Sequence, residues 1–286
     1  MRKFGFSIWI APALVVVSLL ALYPLFWAGY KSLFDAKFGF PEAEFVGLGN
    51  YIRLINSQAF WTSLKTTILF IVPSILFQAA LGLMIALLLN SGIKGKSFFS
   101  GFFIVPMVMM DTMVGLTWRL YYSQQGIYNY FLELIFGKPI IWHSASWALT
   151  GIVIAEIWRW TPFFILILLA GLQAVPRELY DAADVDGASS FQKFRYVSFP
   201  LLKTLLVIGL ILRFVDAMKL FGMIFAMFGG GPGNVTETLP IHIYRTTLLS
   251  RNLGLGMAQA IILIVLILIT GIFFIRLLKR VKGVQE

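Results

Sequence analysis

Five charged side chains stand where membrane-grade apolar sequence surrounds them: Glu156 and Arg159 in one run, Arg213, Asp216 and Lys219 in the next. Each set repeats at i,i+3, which puts its members on one helix face. An ionised side chain at the centre of a membrane helix costs about 2.5–3.5 kcal/mol on insertion scales, so such groups turn toward partners or water. Two kinds of chemistry fit that placement. The charges either pair and hold helices in register, or they line a path for a polar solute or an ion. Trp158, among them, offers either a flat face for a sugar ring or ordinary packing. Asp111 and Arg119, in an earlier apolar run, lie nearer its outer end.

Catalytic readings find little support. Cysteine is absent, so no disulfide framework, thiolate metal site or cysteine nucleophile is expected. His143 and His242 are far apart and lack carboxylates at ligand spacing, so no metal site is expected either. Gly95, Lys96 and Ser97 look like the end of a phosphate-binding loop, but that motif needs a glycine where Asn90 stands, and it must follow a strand. No catalytic residues are assigned and no cofactor is expected in this chain.

The elements that must position these residues are helices in a bilayer. The 286 residues are 59% hydrophobic and 13% charged, with mean hydropathy +0.86, too apolar for a soluble surface. Runs near 6–30, 61–89, 98–121, 147–172, 201–228 and 254–278 are long enough to cross a core of about 30 Å. The fold class expected is all-α, one polytopic membrane domain over 1–286 with six transmembrane helices, which puts both termini on one side. The first run is too long for a signal peptide and has no small-residue cleavage site near Trp27, Ala28 and Gly29, so it reads as a retained span.

Basic residues choose the cytoplasmic side. Arg2, Lys3, Lys94, Lys96, Arg177, Lys193, Arg195, Lys203, Arg276, Lys279, Arg280 and Lys282 share one face; Lys31, Lys37, Arg53, Lys138 and Arg251 are among the fewer on the other. The net charge of +10 is scattered at span ends without interleaved aromatics, which fits lipid headgroups and not nucleic acid. Trp27, Tyr30, Trp61, Tyr121, Tyr122, Trp142 and Trp147 cluster at outer span ends like an aromatic belt. Pro73, Pro106, Pro162 and Gly209 lie inside spans as candidate kinks or breaks.

Between two spans lies RELYDAADVDGASSFQKFRYVSFP, Arg177 to Pro200, dense in charge. Pro176 suits a first helical turn, the run to Asp186 has no breaker, and Gly187 can take a left-handed conformation after a helix end. Ser189 or Ser190 caps a second helix that Pro200 closes, with Phe191, Phe194 and Val197 along one side. This amphipathic hairpin is a docking surface or a solvated connector; periodicity alone leaves both open.

The stretch resembles the cytoplasmic "EAA" loop of permease subunits in binding-protein-dependent ABC importers: E-A-A, three residues, Gly, and a later hydrophobic-x-hydrophobic-Pro end. Asp181, Ala182, Ala183 and Gly187 fall on the first part and Val197, Ser198, Phe199 and Pro200 on the second, with Asp181 where the family usually has Glu. WRWTPFFILILLAGLQAVPRELYDAA, from Trp158, and RFVDAMKLFGMIFAMFGGGPGNVTETL, from Arg213, are similar to the carbohydrate-importing branch, as is VGLGNYIRLI. Gly230, Gly231, Pro232, Thr236 and Thr238 fit the branch's external turn, while Gly222 stands where Asp is common.

The resemblance implies a bacterial inner-membrane permease for a sugar, sugar alcohol or related polyol. It implies a second permease, an ATPase dimer carrying ATP and Mg, and an extracytoplasmic solute-binding protein as partners. Glu178, Asp181, Ala182, Ala183, Asp186 and Gly187 then couple to the ATPase, and Glu156, Trp158, Arg159, Arg213, Asp216 and Lys219 are candidates for the substrate pathway. The rivals are a permease for a phosphate ester or other anionic solute, an ion-coupled secondary transporter, and a membrane scaffold.

Overall fold

The computed structural model describes residues 3–40, 42–91 and 96–282; Arg2, Lys94 and Gly95, used above, lie outside the described residues. In chain order these residues form α1 (Lys3–Lys31), a hairpin of β1 (Phe34–Ala36) and β2 (Ala43–Phe45), and α2 (Gly49–Ile55). Then come α3 (Gln58–Asn90), α4 (Lys96–Val108), α5 (Asp111–Tyr121), α6 (Ile127–Phe136) and α7 (Ala148–Gln173). The chain continues through α8 (Arg177–Val185), α9 (Ser190–Lys193), α10 (Phe199–Ala217), α11 (Gly222–Phe228), α12 (Leu239–Tyr244) and α13 (Leu253–Lys282). The fold is helical, as expected, with one small antiparallel hairpin in register Phe34↔Phe45.

Two compact units make up the chain: Met1–Thr62 with Leu239–Leu266, and Ser63–Thr238 with Ile267–Glu286. In the first, buried Asn50 of α2 donates from Nδ2 to the carbonyls of Ser32 and Phe34, tying α2 to the hairpin. The second carries the charges. Its centre is α7, where Ile152, Phe164, Ile165 and Leu168 are fully buried.

Among the described residues, five stretches are long and apolar enough to cross a membrane: Ala11–Lys31, Gln58–Asn90, Ala148–Gln173, Ser190–Ala217 and Leu253–Arg280. The expected run near 98–121 is covered by α4 and α5 in tandem, interrupted at residues 109–110, and the run near 201–228 is interrupted at 218–221. The sequence reading offered kinks or breaks at Pro73, Pro106, Pro162 and Gly209. Pro73 and Pro162 lie inside unbroken α3 and α7. A hydroxyl beside each back-bonds to the preceding turn, Ser74 Oγ to the Phe70 carbonyl at 2.7 Å and Thr161 Oγ1 to that of Ile157 at 2.6 Å. Gly209 also sits in an unbroken helix, where a Cβ would lie 2.9 Å from Phe164 Cε1, so it serves close packing. Pro106 lies inside α4, three residues ahead of an interruption.

The expectation that Pro200 closes the second hairpin helix is overturned. The helix runs on from Ser190 to Ala217. Residues Phe194–Ser198 form a widened turn, with the Phe199 N–H reaching back five residues to the Phe194 carbonyl. Widening carries the backbone past the position where a proline ring would strike the preceding turn, so Pro200 is tolerated.

Candidate functional site

The intramembrane charges assemble around Arg213, which is 2% exposed. Its Nη2 pairs with Glu156 Oε1, joining α10 to α7. Its Nη1 lies 2.6 Å from Asp216 Oδ2, and its Nε donates to Gln78 Oε1 at 3.3 Å. Gln78 in turn donates from Nε2 to the Glu156 backbone carbonyl at 3.0 Å. Three helices, α3, α7 and α10, thus share one polar knot. The guanidinium also lies 4.0 Å over the Trp160 ring, a cation–π contact strengthened by desolvation.

Arg159 makes no ion pair within that knot, but it lies 5.4 Å over the same Trp160 ring. One turn along α7 from Glu156, it places Nη1 2.5 Å from Asp111 Oδ1 and donates from Nη2 to the Met109 carbonyl at 2.9 Å. Met109 lies at the interruption between α4 and α5, where the backbone leaves helix geometry. A carbonyl freed from helical bonding inside a membrane needs a donor, and Arg159 supplies it. Asp111 opens α5, so its carboxylate also sits favourably at a helix start.

The starts of α5 and α11 pack together. A Cβ on Gly222 would meet Asp111 Cβ at 3.0 Å, and one on Gly115 would meet the Met223 carbonyl at 2.5 Å. Glycine at both places permits this close crossing.

Asp216 and Lys219 end the network in the open. Asp216 is 46% and Lys219 61% exposed at the side chain, and their contact is 3.7 Å long. With Trp160 and Arg213 they line a hollow of about 380 Å³. Trp158 is elsewhere: two residues along the helix turn it about 200° from Trp160. It packs edge-on to Trp118 at 5.6 Å and lines an apolar hollow of about 410 Å³ with Leu81 and Ile85. The structure therefore gathers Glu156, Arg213, Asp216 and Lys219, sets Arg159 beside them at the shared Trp160 ring, and separates Trp158 from them.

The hairpin forms as two capped helices. Gly187 takes φ +72°, the Ala188 N–H bonds the Ala183 carbonyl and the Gly187 N–H that of Asp184, a glycine-terminated helix end. Of the two serines offered as cap, Ser189 performs it, in a reciprocal box with Gln192. Lys193 pairs with Asp184 across the turn, and Tyr180 and Ser198 share a hydrogen bond of 2.8 Å. Glu178, Asp181, Ala182, Asp186 and Gly187 are exposed and Ala183 half-buried. Apolar side chains also face outward: Val185 is 89%, Phe191 73% and Tyr196 74% exposed.

A family model described as binding-protein-dependent transport system inner membrane component matches residues 6–283. The chain belongs to this family. It is thus a transport permease, similar to the trehalose/maltose transport system permease protein MalF of Thermococcus litoralis, 36% identical over 96% of this chain and 93% of the relative. It is also similar to the sn-glycerol-3-phosphate transport system permease protein UgpA of Agrobacterium fabrum, 30% identical over 95% and 93%. Its fold matches a chain of a bacterial alginate ABC transporter solved with an alginate pentasaccharide-bound periplasmic protein: TM-score 0.85, 18% identity, 98% and 96% coverage.

Sequence reasoning missed two members of the permease's polar knot, Gln78 and Trp160. It also ranked Asp111 apart from the charges that it joins. An aspartate opening a helix inside an apolar run is a start signal, and it marked the break before α5. Two expected belt residues prove buried: Tyr122 and Trp142 are 4% and 6% exposed and stack at 4.2 Å. Tyr122 donates to the Gly151 carbonyl at 3.1 Å, and burial, then the neighbouring Tyr128, raises its phenol pKa well above the ordinary value.

Proposed function

We propose that residues 1–286 work as one transmembrane domain, the permease subunit of an ATP-driven importer for a sugar, sugar alcohol or related polyol. The charge balance of the membrane cluster carries the choice of a neutral cargo. Arg159, Arg213 and Lys219 face Asp111, Glu156 and Asp216, three cations against three carboxylates, and each cation has an acidic partner. A site for a solute anion needs cationic groups in excess, whereas hydroxyls are served by polar groups already at balance. The sugar named for the Thermococcus litoralis relative supports the same reading. Asp216, Lys219 and the edge of Trp160 are the groups assigned to the solute, with Glu156, Arg213 and Arg159 holding the pathway helices. Trp158 is a second stacking candidate.

In this reading the chain pairs with a second, different permease. Both rest on an ATPase dimer that binds ATP and Mg, and an extracytoplasmic solute-binding protein delivers cargo. The charge asymmetry of the loops supports a cytoplasmic-membrane protein with both termini and the Arg177–Pro200 hairpin in the cytoplasm. Glu178, Asp181, Ala182, Ala183, Asp186 and Gly187 form the docking surface for the ATPase, and the exposed Val185, Phe191 and Tyr196 add its apolar part.

The name of the Agrobacterium fabrum relative favours a second reading, a phosphate ester as cargo. Uptake by the purified, reconstituted complex decides between them. A neutral polyol that is taken up only with ATP, and is not displaced by phosphate esters, supports the first; the reverse competition overturns it. Gly187→Pro and Asp181→Arg are expected to abolish uptake with the protein still in the membrane; unchanged uptake in both removes the coupling assignment.

A further inference from the structure

The helix α6 is ten residues long, about 15 Å at 1.5 Å per residue, half of what crosses a bilayer core. One side of it is anchored. Asn129, 1% exposed, donates to the Ser123 carbonyl and accepts from the Ile140 N–H and from Trp142 Nε1. Tyr128 stacks on Trp118 at 5.3 Å and 16°. Its other side is bare within this chain: Ile127, Tyr130, Phe131, Leu134 and Ile135 are 50–71% exposed.

Connectivity fixes the depth at which that bare face lies. The helix begins six residues after α5 ends, and the loop that follows it leads directly into α7. Both ends are therefore held at span termini, where a short helix with one apolar face lies in the plane of the membrane surface. Between α6 and the loop that follows is a hollow of about 560 Å³. Leu132, Phe136, Ile140 and Trp147 give it apolar walls, and Lys138 and Ser144 add a cation and a hydroxyl. Glu133, the acid on α6, is not among its lining residues.

We propose that this hollow binds one anionic phospholipid from the leaflet at which α5 ends and α7 begins. An acyl chain lies against Phe136 and Ile140, and the phosphate meets Lys138 and Ser144. The combination of an apolar trough, an indole at its edge and one cation matches a phospholipid at the depth where headgroup and chain meet. The bare face of α6 then lies among the chains of neighbouring lipids.

The test uses the purified permease with its partner chains in nanodiscs carrying either phosphatidylglycerol or phosphatidylcholine with a photoactivatable group on the acyl chain. Adducts are mapped by mass spectrometry. Phosphatidylglycerol is expected to label residues 127–147 about fivefold more than phosphatidylcholine, the ratio that about 1 kcal/mol for one lysine near an anionic surface corresponds to. Lys138→Glu lowers phosphatidylglycerol labelling to the phosphatidylcholine level, and Lys138→Gln serves if that variant does not assemble. Labelling that is absent from 127–147, equal for the two lipids or unaffected by both variants overturns the proposal. Labelling of a protein partner docked on α6 overturns it as well.

Discussion

Arg213 joins two helices that run unbroken through its position, whereas Arg159 bridges an interruption. Both are nearly buried, at 2% and 5% exposed. Arg213 has a carboxylate that is buried too, at 1% exposed. Arg159 has one that is 45% exposed, and its second contact is a backbone carbonyl. A pair buried on both sides acts as a fixed joint, since separating it strands a charge in low dielectric. A pair with one wet partner can part at lower cost. The difference separates a part of the permease that must stay in register from one able to shift.

The largest expected effect tests the fixed joint. Arg213→Met strands the buried Glu156 carboxylate and should cost about 3–5 kcal/mol, and Glu156→Leu should cost less because Arg213 keeps Asp216, both read as loss of monodisperse protein and a lower unfolding midpoint in detergent. The double variant should recover most of it; a double as poor as the singles would mean that Gln78 or Trp160, not the pair, carries the joint. Next comes the bridge. Gly222→Leu pushes a side chain against Asp111 and should cost about 1–3 kcal/mol by overpacking. Gly222→Asp should be partly rescued by Asp111→Ala, because a carboxylate then reaches Arg159 from α11. A double-mutant cycle on the unfolding midpoint with no coupling would show that α11 does not bear on Arg159.

Smaller effects are expected outside the cluster. Ser189→Ala removes the cap of the second hairpin helix, worth about 1 kcal/mol, and should appear as faster amide hydrogen exchange at Phe191 to Lys193. Protection equal to the unaltered permease would mean that the Lys193 and Asp184 pair holds that end. Lys219→Met should change stability by less than about 1 kcal/mol, because its contact is long and exposed. Under the proposed pathway it still alters the KM for uptake; an unchanged KM removes Lys219 from the solute site.

The spans and the hairpin were legible because each is written locally. Twenty apolar residues, a glycine just after a helical run and a serine three before a glutamine all carry their meaning within a turn or two. The knot around Arg213 was not, since Gln78 is 135 residues away in sequence and nothing near it distinguishes it from any polar residue in a span. Trp160 differs from Trp158 only in the side of α7 that it occupies, which depends on where α10 packs. Interruptions were misplaced because proline was weighed above an acidic helix start: α3 and α7 run on through Pro73 and Pro162, and Asp111 marked a real beginning. Pro200 misled for a related reason, as a widened turn is invisible to composition.

That widened turn has a mechanical consequence. From Ser190 to Arg213 the chain is continuous helix, about 35 Å at 1.5 Å per residue, so no slack loop separates the hairpin tip from the buried arginine. A push on Phe191 is delivered as a tilt or a twist at the far end, in the manner of a crank. The extra residue wound into Phe194–Ser198 is a place along that shaft where a twist can be taken up or let out.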